Sequence, residues 1–262
     1  MNADVLRLDL RLRRRILIGT AVGAAAYLFL IVAMYPSFKH DTSLDAMIAA
    51  NPTAAAAFGV TGSITSPAGW LNANMYANFA PLLALLLTIG YGAAAIAGQD
   101  ADGTLGMVAN TPLSRLRLLG QKATALLLVS LVVPVASYAA CLPGPHFGLD
   151  PGWGRLAGIS LAVTLLAFDL GALALLVGAA TGSRGAALGV ASAVAGAAYL
   201  VASLAPVVSA FHRIRWLSPF TWAVGSDQLA TGVTIGEAGA LLGLGVLLVA
   251  ASVPALERLD IH

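Results

Sequence analysis

Six separate runs of about twenty apolar residues divide this chain, and a run of that length crosses the hydrocarbon core of a bilayer as a helix. The runs cover about 16–35, 75–98, 118–141, 155–180, 186–209 and 236–255. Lipid offers the backbone no hydrogen-bond partner, and a helix satisfies its own N–H and C=O groups within one segment. The expected fold is therefore all-α: a polytopic membrane protein with six transmembrane helices. Only 10% of the 262 residues are charged, against about a quarter in a soluble domain, so a fully solvated surface is excluded. The expected organisation is a short cytoplasmic amphipathic segment, 1–15, followed by one transmembrane domain, 16–262.

The first run is preceded by arginines but exceeds the 7–15 residues of a signal h-region, so it reads as an uncleaved anchor. Before it, Val5, Leu8, Leu12 and Ile16 share one helical face, with Arg7, Arg11 and Arg14 opposite. The same segment also alternates apolar and polar residues, as a strand does. An interfacial amphipathic helix is the better reading, because a lone strand at the membrane leaves its backbone unpaired.

Six spans put both termini on one side. With the N-terminus inside, the inner segments hold Arg7, Arg11, Arg13, Arg14, Arg15, Arg115, Arg117, Lys122, Arg184 and Arg258. The outer segments hold Lys39, Arg155, Arg213 and Arg215. Ten against four fits cytoplasmic termini by the positive-inside rule, and the four tryptophans then fall at the outer interface. Arginine outnumbers lysine, and Ala, Gly and Leu dominate, as in GC-rich bacterial genomes; the expected location is a bacterial plasma membrane. The long outer loop 36–74 carries the breakers Asn51-Pro52 and Ser66-Pro67 and is expected to hold a short helix near Ser43–Ala50. Segment 211–235 is expected to dip into the outer interface and return. Pairs at GxxxG spacing, such as Gly19/Gly23, Gly178/Gly182, Gly185/Gly189 and Gly239/Gly243, suit close helix packing in lipid.

The chain has two lysines and neither follows a glycine, so G-x-x-x-x-G-K-[ST] is absent and ATP has no phosphate loop here. There is no H-E-x-x-H, and His40, His146, His212 and His262 are scattered, which argues against a metal site. The lone Cys141 reads as a small buried apolar residue. Gly158-Ile159-Ser160-Leu161 invites comparison with six-span intramembrane serine proteases, but no span offers Ser160 a base. The charge in the middle of a span is Asp169. A mid-membrane carboxylate costs about 2.5–3.5 kcal/mol. It must face the bundle interior, be protonated or have a partner, and it either lines a transport path or hydrogen-bonds a neighbouring Ser or Thr to fix packing.

The inner loop between the second and third runs, 99–120, carries Asp100-Ala-Asp-Gly-Thr-Leu-Gly-Met-Val-Ala-Asn-Thr-Pro-Leu-Ser-Arg115, then Lys122. It resembles the first cytoplasmic loop of type-2 ABC exporter permeases: acidic residues, G-T-L-E, an apolar stretch, a T-P step, Ser-Arg, and a Lys opening the third span. Gly106 stands where the family has Glu. Thr181 to Gly189 resembles the second inner loop. Leu217-Ser-Pro-Phe220 with Gly225 to Leu229 resembles the outer loop before the last span, and Leu256-Glu-Arg-Leu-Asp-Ile261 the closing F-x-R-R-D-I.

The resemblance implies the type-2 ABC exporter membrane-domain fold, paired with a second permease copy or a related permease and with two copies of a separate ABC ATP-binding subunit. ATP and Mg belong to that subunit and no cofactor is expected on this chain; membrane lipids surround it, and no nucleic acid is expected. The loop would form a coupling helix using Asp102, Gly103, Thr104, Leu105, Met107, Pro112 and Arg115, with Arg184 on the second loop. Family substrates include drugs, antibiotics, lipids and glycans. The competing classes are an intramembrane enzyme and an ATP-independent channel or scaffold.

Overall fold

A computed structural model describes residues 4–51, 53, 55, 62–98, 114–225 and 228–258. The described residues are nearly all helical. In order come α1 (Asp4–Phe38), α2 (Thr42–Ala50), α3 (Pro67–Leu71), a π-helical turn (Asn72–Tyr76), α4 (Phe79–Ala93), and a second π-helical turn (Ala94–Gly98). After residues 99–113 follow α5 (Arg115–Cys141), α6 (Trp153–Thr181), α7 (Arg184–Leu204), α8 (Ser209–Ile214), α9 (Pro219–Val224), α10 (Gln228–Thr231) and α11 (Ile235–Arg258). Six stretches are long and apolar enough to cross a membrane: α1, the run from Pro67 to Gly98, α5, α6, α7 and α11. These are the six expected spans.

The ends have local causes. Ser114 caps α5, its hydroxyl accepting from Arg117 N at 3.3 Å. The inner loop is therefore shorter than expected, and Lys122 lies two turns inside the span rather than at its mouth. Between α6 and α7 the connection is two residues: Gly182 at φ +64°, where an L side chain would be strained, and Ser183, whose hydroxyl caps Ala186 N at 3.2 Å. Ser66-Pro67, expected to break structure, starts it: Ser66 caps Gly69 N and Pro67 occupies the first turn, where its missing N–H costs nothing. The fifth span stops at Leu204 rather than 209, just ahead of Pro206, which cannot continue an α-helix. Pro36 was expected to end the first span but sits in the last turn of α1, and the backbone bond from Lys39 N to Tyr35 O continues past it.

The N-terminal segment is helical, as expected, but it is continuous with the first span. The resulting 35-residue helix is about 52 Å long, well over the ~30 Å hydrocarbon core. Its buried side shares only Val5 with the predicted apolar face. Leu8, Leu12 and Ile16 are exposed, whereas Val5 and Asp9 are buried against α4 and α5.

Helix α6 is the central post. In its most apolar stretch 72% of residues are buried, against 17% in α7 and 22% in both α1 and α11, so those three leave broad apolar faces uncovered by the rest of the chain. Helices α4 and α6 approach closely. A methyl group on Gly92 would overlap the Gly171 carbonyl oxygen, and one on Gly171 would lie 2.6 Å from Leu126 Cδ1 and 3.0 Å from Thr88 O. The GxxxG pairs singled out above are mostly elsewhere: positions 19, 23, 189, 239 and 243 have open space around them.

The far end of the bundle is aromatic. Trp70 donates from Nε1 to Ile31 O at 3.0 Å and stacks on Phe38, and Trp153 packs edge-on to Tyr138.

Candidate coupling site

Both described edges of the 99–113 loop are held by other helices, at the end of the bundle where both termini lie. Asp9 on α1 is 4% exposed and Lys122 on α5 is fully buried. The Lys122 ammonium donates to both carboxylate oxygens, at 3.0 and 2.8 Å. The Tyr91 hydroxyl on α4 donates to Asp9 Oδ2 at 2.7 Å. The Arg13 guanidinium lies over the Tyr91 ring, 4.9 Å from its centre, within cation–π range. Gln121 Oε1 accepts from Leu6 N at 3.2 Å. One carboxylate therefore joins the helix that enters the loop to the helix that leaves it.

Such a pair has definite energetics. Desolvating two charges is expensive, and their attraction offsets that only with good geometry and further hydrogen bonds. Here the carboxylate accepts from two donors on two helices. Removing either charge strands the other in a buried site, so the pair fixes the register of α1 against α4 and α5.

Arg115 makes the second tie. Its Nη1 donates to Leu256 O at 2.6 Å and Glu257 O at 2.9 Å. These carbonyls belong to the last described turn of α11, and a cation at the C-terminal end of a helix matches its dipole. Arg115 thus binds the loop's exit to the end of the last span. Arg184, exposed at the first turn of α7, lays its aliphatic stem against Gly98: a carbon at the Gly98 Cβ position would be 3.5 Å from Arg184 Cδ. The second inner turn therefore packs on the loop's entry. Asp102, Gly103, Thr104, Leu105, Met107 and Pro112 lie outside the described residues.

Asp169 is the seventeenth residue of the 29-residue α6. It is fully buried and faces α11, and neither carboxylate oxygen has a hydrogen-bond partner among the described residues. The expected alternative of a Ser or Thr partner is not seen. Gly245 on α11 makes room for it: a carbon at the Gly245 Cβ position would lie 2.6 Å from Asp169 Oδ1 and 2.8 Å from Phe168 Cδ1. Ser160 shares a hydrogen bond with the Tyr76 hydroxyl at 3.2 Å, a neutral partner that is no general base at physiological pH. No group of three metal-ligating side chains occurs among the described residues.

Reading the sequence missed Asp9 as a site residue. A lone acid among five arginines, with a lysine inside the third apolar run, was the available signal. An apolar cleft of about 530 Å³ lies between α4 and α7, lined by Leu82, Leu85, Ile89, Leu188, Ala195 and Tyr199 among others.

A family model described as ABC-2 family transporter protein matches residues 3–256. No curated protein matches the chain. Members of that family are membrane subunits of transporters, work with an ABC ATP-binding subunit and are not themselves catalytic. With its family model spanning nearly the whole length and six helices fit to cross a bilayer, the chain belongs to the ABC-2 family and is a multi-pass membrane permease of an ABC transporter.

Proposed function

We propose that this permease exports an amphipathic substrate (a drug, antibiotic or lipid) from a bacterial cell, and that ATP hydrolysis reaches it through residues 99–113. The working unit has two permeases, either two copies or one with a related chain, and two ATP-binding subunits that carry ATP and Mg. Both termini are cytoplasmic. The observation that carries this reading is the bracing of the loop at both edges, by Asp9 and Lys122 across its flanking helices and by Arg115 on α11. A segment held in this way passes a push to four spans instead of absorbing it. The same end of the bundle holds ten of the fourteen basic residues, which supports its placement in the cytoplasm.

Within the loop, Asp102 or Thr104 caps a short helix, Leu105 and Met107 dock in a groove of the ATPase, Gly103 eases the turn and Pro112 ends the helix. Arg184 extends the contact from the second turn. Asp169 belongs to the substrate path. The cleft between α4 and α7 has the size of a ligand pocket and an apolar lining with one aromatic ring among the residues named above, which favours drugs or lipids over sugars that stack on aromatics.

The test is the double variant Leu105→Asp with Met107→Asp. It puts charge into the docking patch, which is costly at a desolvated interface, and leaves the spans untouched. Expected are normal yield, loss of ATPase co-purification and loss of substrate-stimulated hydrolysis. Wild-type levels of both would overturn the coupling role.

A further inference from the structure

We infer that Asp169 is the recognition point for the positively charged group of a lipophilic organic cation, reached between α6 and α11. This names the substrate class of the exporter reading and rests on it. The argument is one of elimination. A carboxylate two residues from the centre of a span, fully buried and with neither oxygen hydrogen-bonded among the described residues, is costly enough in lipid to be a functional position by default.

The chain's lysines and arginines supply no counter-charge. All fourteen are among the described residues, and each is accounted for. Five lie in the first twelve residues of α1, Lys39 follows that helix, and Arg213 and Arg215 lie between α7 and α9. Of those on the bundle around Asp169, Arg115 is bound to the end of α11, and Lys122 is buried against Asp9. Arg117 is exposed in the first turn of α5, and Arg155, Arg184 and Arg258 stand in end turns of α6, α7 and α11. Helices α4, α9 and α10 carry no Lys, Arg, His, Asp or Glu. On α11 the acids are Glu237 and Glu257, eight and twelve residues from Gly245, or about 12 and 18 Å along the axis. A second copy of the same chain has the same distribution, so it brings no mid-span cation either.

The partner is organic rather than a metal ion. Hard cations need six or more oxygens, and Asp169 stands in no metal-ligating cluster among the described residues. The Phe168 ring lies beside it, against the same face of Gly245, and an aromatic face attracts quaternary and ammonium cations. On the α11 side the site is closed by Gly245. Leu242, Val246 and Leu247 on the same helix are exposed and apolar. On this reading a cation dissolved in the bilayer reaches Asp169 by a shift of α11 away from α6.

The experiment compares tetraphenylphosphonium with tetraphenylborate, which match in shape and differ in charge, for binding to the purified full-length permease by calorimetry. Wild type is expected to bind the cation, unaffected by high sodium, and not the anion. Asp169→Glu keeps binding. Asp169→Asn weakens it by at least about tenfold, as loss of one member of a buried charge pair should, without lowering the unfolding temperature. Equal binding of both ions by wild type, no binding of the cation, displacement by sodium, or wild-type affinity in the Asn variant would each overturn the assignment. The charge comparison on wild type needs no variant to fold. Binding also needs no ATPase, so its failure is distinct from failure of the exporter reading, which shows as absent stimulated hydrolysis.

Discussion

Replacing Lys122 with methionine removes the ammonium that sits 2.8 and 3.0 Å from the Asp9 carboxylate oxygens and leaves a carboxylate only 4% exposed. Breaking a buried pair from one side costs about 3–5 kcal/mol, because the surviving charge keeps its desolvation penalty. Asp9→Leu strands the fully buried ammonium and should cost a similar amount. The double variant strands no charge, only the buried Tyr91 hydroxyl that donated to Asp9, and an apolar pair of similar volume is often close to neutral. The two single losses should therefore fail to add by roughly 3 kcal/mol or more. Tyr91→Phe removes one hydrogen bond to a charged acceptor and should cost about 1.5–3 kcal/mol; that loss should shrink once Asp9 is gone. Unfolding of the purified permease by SDS in mixed micelles measures all of these. Single losses under about 1 kcal/mol, or a double loss equal to their sum, would refute the claim that this pair holds the bundle's register.

Other substitutions probe separate joints. Gly92→Ala meets backbone, the Gly171 carbonyl, so it should lose stability at or above the upper end of the ~1–3 kcal/mol of overpacking, whereas Gly90→Ala, with open space around it, should not. Equal unfolding midpoints for the two would remove the close approach of α4 and α6 from the account. Arg115→Met should fray the end of α11, costing about 1 kcal/mol given the arginine's exposure, and should speed proteolysis after residue 250; an unchanged cleavage pattern would show the tie to be idle. Tags at residue 2 and after His262 should resist external protease in intact cells, and a tag near Thr61 should be cut. External cleavage of the C-terminal tag would contradict the six-span topology.

How much of this was legible beforehand follows from what lipid imposes. Spans must be long and apolar, so all six could be read from the sequence, and their ends failed only where local chemistry decided them. Ser66-Pro67 opened a helix because a serine hydroxyl and a proline suit its first turn; Pro206 closed one early. Contacts between spans left no such trace. Gly92 and Gly171 meet across two helices, and spacing within one helix cannot register that; the pairs that spacing did select mostly face open space. Asp9 was placed by its neighbours in a basic segment, yet its partner lies 113 residues away. Asp169 stood out from its position alone, but whether a Ser or Thr would satisfy it depended on the side chains packed around it, which only the structure supplies.

The most direct test of the central claim is to recover the tagged permease from its native membrane in mild detergent and identify what comes with it. The account predicts a P-loop ATPase in equal number, in an assembly of two permeases and two ATPases whose hydrolysis is vanadate-sensitive and rises with substrate. Recovery of intact, folded permease with no ATPase attached would contradict it.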